Sequence, residues 1–225
     1  MEQPPQCIGI ILDGNRRWAK AKGLPGLQGH RTGLSKITDC AHWVREAGIK
    51  HLVVYALSTE NLHRTEEEVS YFMELAIEAA ETKIAELGKE NVRVKFIGNL
   101  ALVPSKVREA VEKVERETAQ NSGLTLWICF AYGGRAEIVA AAAKAAAAGE
   151  NITEESLPKY FWSAGMPDPD LVIRPGGEKR LSNFLLWEAA YSELFFVDTM
   201  WPDFSKEKLD EVLAEFSQRQ RRMGK

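Results

Sequence analysis

The chain has 225 residues, a length that suits one large domain or two small ones. With 45% hydrophobic and 27% charged residues, its composition is that of a globular protein and excludes disordered and collagen-like chains. The formal net charge of −3 provides no global positive field for nucleic acid. The cysteines, Cys7, Cys40 and Cys129, form no CxxC pair, which argues against a disulfide framework or a zinc site. With neither a signal peptide nor a membrane-spanning stretch in the sequence, we expect a soluble, cytoplasmic protein.

Short apolar segments alternate with helical patterns along the chain. The predicted strands are 8–12, 51–57, 92–97, 124–131, 171–174 and 194–197. The predicted helices are about 33–47, 66–88, 104–121, 134–148, 153–163, 183–191 and 205–222. Strands that are apolar on both faces are typical of a parallel sheet covered on both sides. The alternation predicts a single α/β domain over 1–225, with a mainly parallel six-stranded sheet and about seven helices.

Ligands of open parallel sheets bind beyond the carboxyl ends of the strands, so the residues after each predicted strand are informative. The first strand runs into Asp13-Gly14-Asn15-Arg16-Arg17-Trp18, which matches neither a P-loop nor a G-x-G-x-x-G fingerprint. A carboxylate, an amide and two arginines could hold magnesium and phosphate. Asp-Gly is also a common turn, and on this segment alone the turn is the favoured interpretation.

Three further strand ends carry polar sets, namely Ser58-Thr59-Glu60-Asn61 with Arg64, Tyr132-Gly133-Gly134-Arg135, and Arg174 to Asn183. The last contains Arg174, Arg180 and Ser182 around a glycine turn, and the planar arginine fork suits diphosphate oxygens. A helix cap or a solvated charge run would explain each set alone. Together they favour an anionic substrate, with a diphosphate as the best candidate. His30 by itself is more typical of a structural histidine.

At these strand ends the sequence resembles the cis-prenyltransferase family, also called the undecaprenyl diphosphate synthase or isoprenyl transferase family. The resemblance covers nearly the whole chain and rests on motifs that occur in order. They are Asp13-Gly14-Asn15-x-Arg17-Trp18-Ala19, Gly29-His30-Arg31, Tyr55-Ala56-x-Ser58-Thr59-Glu60-Asn61-x-x-Arg64, Tyr132-Gly133-Gly134-Arg135, Asp170-Leu171-x-Ile173-Arg174, Gly177-Glu178-x-Arg180-Leu181-Ser182-Asn183, Tyr191-Ser192-Glu193-Leu194 and Trp201-Pro202-Asp203-Phe204.

The resemblance implies condensation of isopentenyl diphosphate onto an allylic diphosphate, farnesyl or geranylgeranyl diphosphate. The implied product is a Z-polyprenyl diphosphate such as undecaprenyl diphosphate, a lipid-carrier precursor for cell-wall or glycan synthesis. The resemblance also implies a homodimer, a hydrophobic tunnel beside the sheet and peripheral contact with the inner face of the membrane. The tail Arg222-Met223-Gly224 resembles an Arg-x-Gly segment that reaches the partner's site.

The family pattern also assigns expected roles to individual residues. Asp13 would organise Mg²⁺ with help from Glu193, and the expected catalytic residues are Asp13, His30 and Asn61. Asn15 and Arg17 would hold the allylic diphosphate, while Arg174, Arg180 and Ser182 would hold that of isopentenyl diphosphate. The expected substrate-binding residues are Gly14, Asn15, Arg16, Arg17, Trp18, His30, Ser58, Thr59, Glu60, Asn61, Arg64, Arg174, Arg180 and Ser182.

The chain departs from the family pattern at several positions. Arg16 replaces a usual glycine, and Gly26 stands where many members have an arginine that contacts the allylic diphosphate. Leu57, Leu62, Thr65, Ala131 and Pro175-Gly176 are further departures. The Arg-Pro-Gly-Gly segment also resembles head-to-middle, lavandulyl-type members, which are the alternative. A non-catalytic partner subunit ranks last, because the metal aspartate and the strand-five arginines are present. Product length and the preferred allylic primer stay open.

Overall fold

A six-stranded sheet forms the centre of the protein, whose computed structural model describes residues 4–220. Its strands are β1 (Cys7–Ile11), β2 (His51–Ser58), β3 (Arg93–Ile97), β4 (Thr125–Tyr132), β5 (Leu171–Pro175) and β6 (Glu193–Val197). The spatial order is β3-β4-β2-β1-β5-β6, and every neighbouring pair is parallel. The expected α/β fold with a parallel six-stranded sheet is confirmed, and each predicted strand bound is correct to within one residue.

Helices join the strands, as parallel pairing requires. They are α1 (Asn15–Ala21), α2 (Gly26–Glu46), α3 (Glu66–Ala79), α4 (Ala85–Lys89), α5 (Ser105–Thr118), α6 (Gly134–Ala147) and α7 (Lys206–Phe216). A π-helical turn, Ala80–Ile84, joins α3 to α4. If that run is counted as one helix, the described part of the chain has six helices, against the seven or so predicted. Thr65 caps α3 by accepting a hydrogen bond from the Glu68 N–H at 3.3 Å.

Two predicted helices are wrong. Within 153–163 only a short 3₁₀ turn forms, Leu157–Tyr160, because Pro158 lacks the N–H that a helix needs and Phe161 is extended. Segment 183–191 forms turns, since Asn183 and Leu185 have φ values of 68° and 43°, outside the right-handed helical region. Helix α1 was not predicted.

The two faces of the sheet are covered differently. On one face, Ile10 and Val54 join side chains such as Ile37 of α2 and Leu209 of α7 in the main hydrophobic cluster. On the other face, β-strand side chains pack against the segment between α6 and β6, where Phe184 is completely buried. Among residues 4–220, no helix has both the length and the apolar character needed to cross a bilayer.

Glycine 33 lets the turn after β1 pack tightly against α2. A Cβ at Gly33 would lie 2.1 Å from Oδ1 of Asn15 and 2.9 Å from Cδ1 of Trp201. The Gly33 carbonyl also accepts a hydrogen bond from Trp201 Nε1 at 2.6 Å. The first residues after β1 therefore depend on a side-chain-free position in α2.

We expect Gly33→Ala to lower the free energy of unfolding by about 1–3 kcal/mol, the usual cost of overpacking a buried contact. Gly26→Ala, on the same helix, is the matched control, because its Cβ would approach no atom closer than 3.7 Å. Urea denaturation of both variants measures the difference. Equal stability of the two variants would contradict the packing role of Gly33.

Candidate active site

The polar ends of β1, β2 and β5 meet at the mouth of one cavity of about 390 Å³. These three strands are neighbours in the sheet, so the segments that follow them share one edge. Arginines line the mouth, and apolar side chains from α2, α3, β3 and β4 line the interior. The cavity therefore combines a cationic entrance with a hydrophobic interior.

An ion pair between Asp13 and Arg174 joins two of these strand ends across 161 residues of sequence. Arg174 Nη2 and Nε donate to Oδ2 of Asp13 at 2.7 and 3.2 Å, and the Arg174 side chain is only 5% exposed. Burial acts to raise the pKa of Asp13. Hydrogen bonds and charge from Arg174, with the Gly14 N–H and Arg17, outweigh burial and hold that pKa below its usual 3.8. Asp13 is therefore a stable carboxylate.

Arginine 17 makes a second connection between the same two strand ends. Its Nη1 donates to the Gly176 carbonyl at 2.7 Å, and its Nη2 donates to Asp13 Oδ1 at 3.2 Å. The Gly14 N–H donates to that same oxygen at 2.6 Å. Gly176 has a φ of 92°, and a Cβ there would lie 2.8 Å from Arg17 Nη2. A glycine is thus required where the arginine passes.

The segment after β5 adds further polar groups to the mouth. Arg174 Nη1 donates to Ser182 Oγ at 2.8 Å and to the carbonyl of Arg180. Arg180 and Ser182 both line the cavity. The Arg180 side chain is 58% exposed and pairs with Glu178. Arg180 can therefore turn toward a bound anion, whereas Arg174 is held in place by protein partners.

The turn after β2 is held by its own side chains. Ser58 N–H donates to Asn61 Oδ1, and Asn61 N–H donates to Ser58 Oγ, both at 3.2 Å. Ser58, Asn61 and Arg64 line the cavity. Arg64 lies over the Phe72 ring at 5.7 Å, and its buried Nη1 has no hydrogen-bond partner in the described residues. That nitrogen is a donor available to a ligand.

Histidine 30 also lines the cavity, on α2. Its ring meets Phe72 edge-on, with centroids 4.6 Å apart, and its buried Nε2 has no partner among residues 4–220. Burial, followed by the positive charges of Arg64 and Arg16, lowers the pKa of His30 from 6.5 to about 4. His30 is a neutral imidazole near pH 7.

Two departures from the family pattern are adjacent in space. A Cβ at Gly26 would lie 3.7 Å from Cγ and 3.8 Å from Nε of Arg16. Arg16 lines the cavity and pairs with Glu68 of α3 at 3.1 Å. Arg16 therefore places a guanidinium next to Gly26, the position where many family members carry an arginine. Gly14 and Asn15 line the cavity too, and Asn15 Nδ2 donates to the Leu12 carbonyl at 2.8 Å.

Three expected substrate-binding residues do not line the cavity. Trp18 Nε1 donates to Asp203 at 2.8 Å. Glu60 accepts from Asn183 Nδ2 at 2.8 Å, and the Thr59 hydroxyl donates to Glu60 at 3.2 Å. Thr59 and Glu60 therefore hold the segment after β5 in place, one residue beyond Ser182.

Glutamate 193, the second expected metal ligand, lies away from Asp13 in this chain. The parallel register pairs Arg174 with Phe196, three residues after Glu193, and three strand residues span about 10 Å. Glu193 instead accepts from Arg219 Nη1 at 2.8 Å. Within one chain the two carboxylates are far apart. Glu193 is at the start of β6 and Asp13 follows the end of β1, and parallel strands start and end on opposite sides of the sheet.

The apolar wall of the cavity includes part of the predicted apolar face of α3, together with residues from other elements. Phe72, Ala76 and Ala80 line the cavity, whereas Met73 is buried in the core beside it. The π-helical turn lies in this wall, through Ala80 and Ile84. Further apolar lining comes from other elements through Leu34, Ile37, Phe96, Ile128 and Phe130. These residues have the same apolar sequence pattern as core residues, so the sequence alone does not identify them as lining a cavity.

Sequence comparison matches residues 11–224 to the family described as "Putative undecaprenyl diphosphate synthase". An isoprenyl transferase of Neisseria meningitidis serogroup A is 44% identical over 222 residues, covering 98% of this chain and 90% of the relative. An isoprenyl transferase of Fusobacterium nucleatum is 45% identical over 221 residues, covering 98% and 96%.

Two solved structures have the same fold. One is lavandulyl diphosphate synthase from Lavandula x intermedia in complex with dimethylallyl diphosphate, with a TM-score of 0.95, 32% identity and 99% coverage of both chains. The other is a probable undecaprenyl diphosphate synthase from Campylobacter jejuni, with a TM-score of 0.85, 31% identity and full coverage of both. The chain therefore belongs to the undecaprenyl diphosphate synthase family of isoprenyl transferases.

Proposed function

We propose that this prenyltransferase condenses isopentenyl diphosphate onto farnesyl or geranylgeranyl diphosphate and makes a Z-polyprenyl diphosphate such as undecaprenyl diphosphate. The observation that carries the proposal is a single cavity with two sets of arginines at its mouth and an apolar interior. Two diphosphates need two cationic sites, and a growing hydrocarbon chain needs a wall that excludes water. The interior then serves as the product tunnel.

Each arginine set serves one substrate. Arg16 and Arg17 hold the allylic diphosphate, and Arg16 takes the place of the arginine absent at position 26. Arg180 and Ser182 hold isopentenyl diphosphate, with Arg174 fixing both through Asp13. Ionisation of the allylic group depends on a held leaving group, so positioning and charge stabilisation carry most of the rate.

The groups nearest the reacting carbons are expected to be His30 and Asn61. Neutral His30 places no positive charge beside a developing carbocation, and its unpartnered Nε2 is available for a hydrogen bond with a substrate. Asn61 is fixed by its hydrogen bonds with Ser58 and cannot turn freely. Both residues therefore act in this proposal by orienting the two substrates. The diphosphate released from the allylic substrate is the base that accepts the proton lost on chain extension.

Asp13 fits a magnesium site that the substrate completes. Mg²⁺ is usually bound by one or two carboxylates together with substrate phosphates and waters. Among residues 4–220 no group of three or more His, Cys, Asp or Glu side chains could hold a metal ion, so phosphate oxygens would supply the other ligands. When bound, Mg²⁺ neutralises charge on the leaving diphosphate. A role for Glu193 stays a prediction.

The assembly and location follow from the same proposal. From the family resemblance we infer a cytoplasmic homodimer. A long polyprenyl product is insoluble in water, so we also infer peripheral contact with the inner face of the membrane. The tail expected to reach the partner's site, Arg222 to Gly224, lies outside the described residues.

A head-to-middle, lavandulyl-type condensation is the second candidate. It is favoured by the similarity to lavandulyl diphosphate synthase and by the Arg174-Pro175-Gly176-Gly177 segment. The elongated apolar lining on α3 favours chain extension instead. A non-catalytic subunit ranks last, because Asp13, Arg174 and Arg180 meet at the cavity.

The decisive experiment supplies Mg²⁺ and isopentenyl diphosphate with geranyl, farnesyl or geranylgeranyl diphosphate, and sizes the products. We expect long Z-polyprenyl diphosphates, and less than a tenth of that turnover for Asp13→Ala and Asp13→Asn. Asp210→Asn, which alters an exposed carboxylate paired with Lys206, should keep full turnover. A parallel reaction contains dimethylallyl diphosphate alone, and a branched ten-carbon product from it would support the second candidate instead. No product from any substrate would support the non-catalytic subunit.

If the two diphosphates bind at separate sites, two arginine variants should each raise the KM of a different substrate. We expect Arg180→Ala to raise the KM for isopentenyl diphosphate about 10- to 150-fold, the cost of losing charge-assisted bonds of about 1.5–3 kcal/mol. Arg16→Ala should instead raise the KM for the allylic diphosphate. Initial rates with each substrate varied in turn measure both constants. Equal effects of either variant on both substrates would rule out this assignment.

Side-chain volume on α3 should limit product length. We expect Ala76→Leu to shorten the products, because the added carbons enter the cavity and a close-packed interior yields little space. The overpacking cost of about 1–3 kcal/mol should leave the protein folded. Ala143→Leu, an exposed change on α6, is the control and should leave the products unchanged. Chromatography measures the product lengths. Unchanged lengths in a folded Ala76→Leu protein would show that α3 does not form the wall of the product tunnel.

A further inference from the structure

Two buried carboxyl groups lie on the opposite face of the sheet from the cavity. Glu137, in the first turn of α6, is 1% exposed, and Glu188, beyond the segment that follows β5, is 5% exposed. Neither lines the cavity, and the chemistry proposed above uses neither. Buried carboxyl groups are rare unless something compensates for their lost hydration, so the pair requires an explanation.

The two carboxyl groups share one hydrogen-bonding residue. Ser163 N–H donates to Glu137 Oε1 at 2.9 Å, while the Ser163 hydroxyl donates to Glu188 Oε1 at 2.5 Å. Glu137 Oε2 also accepts from the Tyr132 hydroxyl at 2.5 Å. Glu188 Oε2 is buried and has no hydrogen-bond partner in the described residues. Burying a carboxylate anion with such an unpartnered oxygen costs much free energy, whereas burying a neutral carboxyl group costs far less.

The groups facing Glu188 favour its neutral form. They are Glu137 from α6 and Asp168 from the segment before β5, and Tyr132 and Cys129 of β4 face the same pair. All of them are acids. Burial first, then the charge of Glu137, raises the pKa of Glu188 from 4.5 to about 7, although the Ser163 hydrogen bond acts to lower it. Glu188 therefore retains its proton into the neutral range.

Glu188 follows a strained turn that carries part of the cavity mouth. Ser182, Asn183 and Leu185 have φ values of 51°, 68° and 43°, which non-glycine residues adopt only where their surroundings impose it. On the α6 side, the Asn183 carbonyl accepts from Gly134 N–H at 2.8 Å, and its Oδ1 accepts from Arg135 N–H at 2.9 Å. Glu188, bonded to Ser163, anchors the far end of this turn.

We propose that protonated Glu188 is a positioning residue for the segment that holds isopentenyl diphosphate. With Glu188 protonated, the turn is anchored at both ends and presents Ser182 to the cavity. Loss of that proton places two negative charges together in a buried space, and their repulsion pushes Glu188 and the far end of the turn away from Glu137. The affinity for isopentenyl diphosphate then falls as pH rises. This inference rests on the proposed function, since it assumes that Arg180 and Ser182 bind that substrate.

A binding experiment on the full chain tests the role. The dissociation constant for isopentenyl diphosphate is measured by calorimetry between pH 5.5 and 8.5 for wild type, Glu188→Gln and Ser163→Ala. The diphosphate itself titrates in this range. The ratio of the dissociation constant of wild type to that of Glu188→Gln therefore isolates the contribution of the Glu188 side chain. We expect this ratio to rise at least threefold across the range. Glu117→Gln, an exposed change, should behave as wild type.

Ser163→Ala provides an independent readout, because it keeps both carboxyl groups. Removing the hydroxyl that lowers the Glu188 pKa should move the midpoint of the pH dependence to higher pH. An unchanged midpoint, or a Glu188→Gln protein with the same pH dependence as wild type, would overturn the proposal. These two results do not depend on turnover.

The stability of the protein without substrate separates this inference from the proposed function. Because the folded pKa of Glu188 lies above its unfolded value of 4.5, its favourable contribution is complete below pH 4.5 and lost as pH rises through about 7. Glu188→Gln should therefore gain stability over wild type between pH 5 and 8. A constant difference in stability would overturn the protonation of Glu188, whereas absence of isopentenyl diphosphate binding at every pH would contradict the proposed function.

Discussion

The ion pair between Asp13 and Arg174 is the contact on which the cavity mouth depends. It joins the ends of two adjacent strands, and Arg17 and Ser182 bond to its two members. Removing one partner of a buried pair typically costs about 3–5 kcal/mol, because the other charge stays buried without compensation. Here such a loss would also release the segment after β5. One interaction thus stabilises the fold and sets the spacing of the two arginine sets.

The segment after β5 is held from both sides of the sheet. Toward the cavity it bonds to Arg174, and on the other side Asn183 bonds to Glu60 and to the start of α6. Motif residues that look like ligand contacts, such as Thr59 and Glu60, act here as supports. A rigidly held loop fits a reaction that depends on positioning. The buried Glu137–Glu188 pair makes that rigidity sensitive to pH.

Local pattern was sufficient for the strands because each is an apolar run that ends at a polar segment, and a buried parallel strand requires such a run. It failed where backbone geometry overrode composition. Segment 183–191 has helix-forming Leu and Ala residues, yet the contacts of Asn183 hold its backbone in left-handed conformations. Helix α1 was missed because its polar sequence Asn15 to Ala21 has no apolar periodicity, and it is stabilised by packing on α2.

The sequence by itself determined the fold class and the family, and it predicted Asp13, His30, Asn61, Arg174 and Arg180 as site residues, all of which line the cavity. Motifs at strand ends are local, and parallel strands bring their ends to one edge. Only the tertiary structure decided which of those residues face the cavity, because that depends on strand order and register. Register places Glu193 at the opposite edge from Asp13, and packing places Arg16 beside Gly26 and buries Glu188 next to Glu137. These contacts join residues that are far apart in the sequence, so no local sequence pattern predicts them.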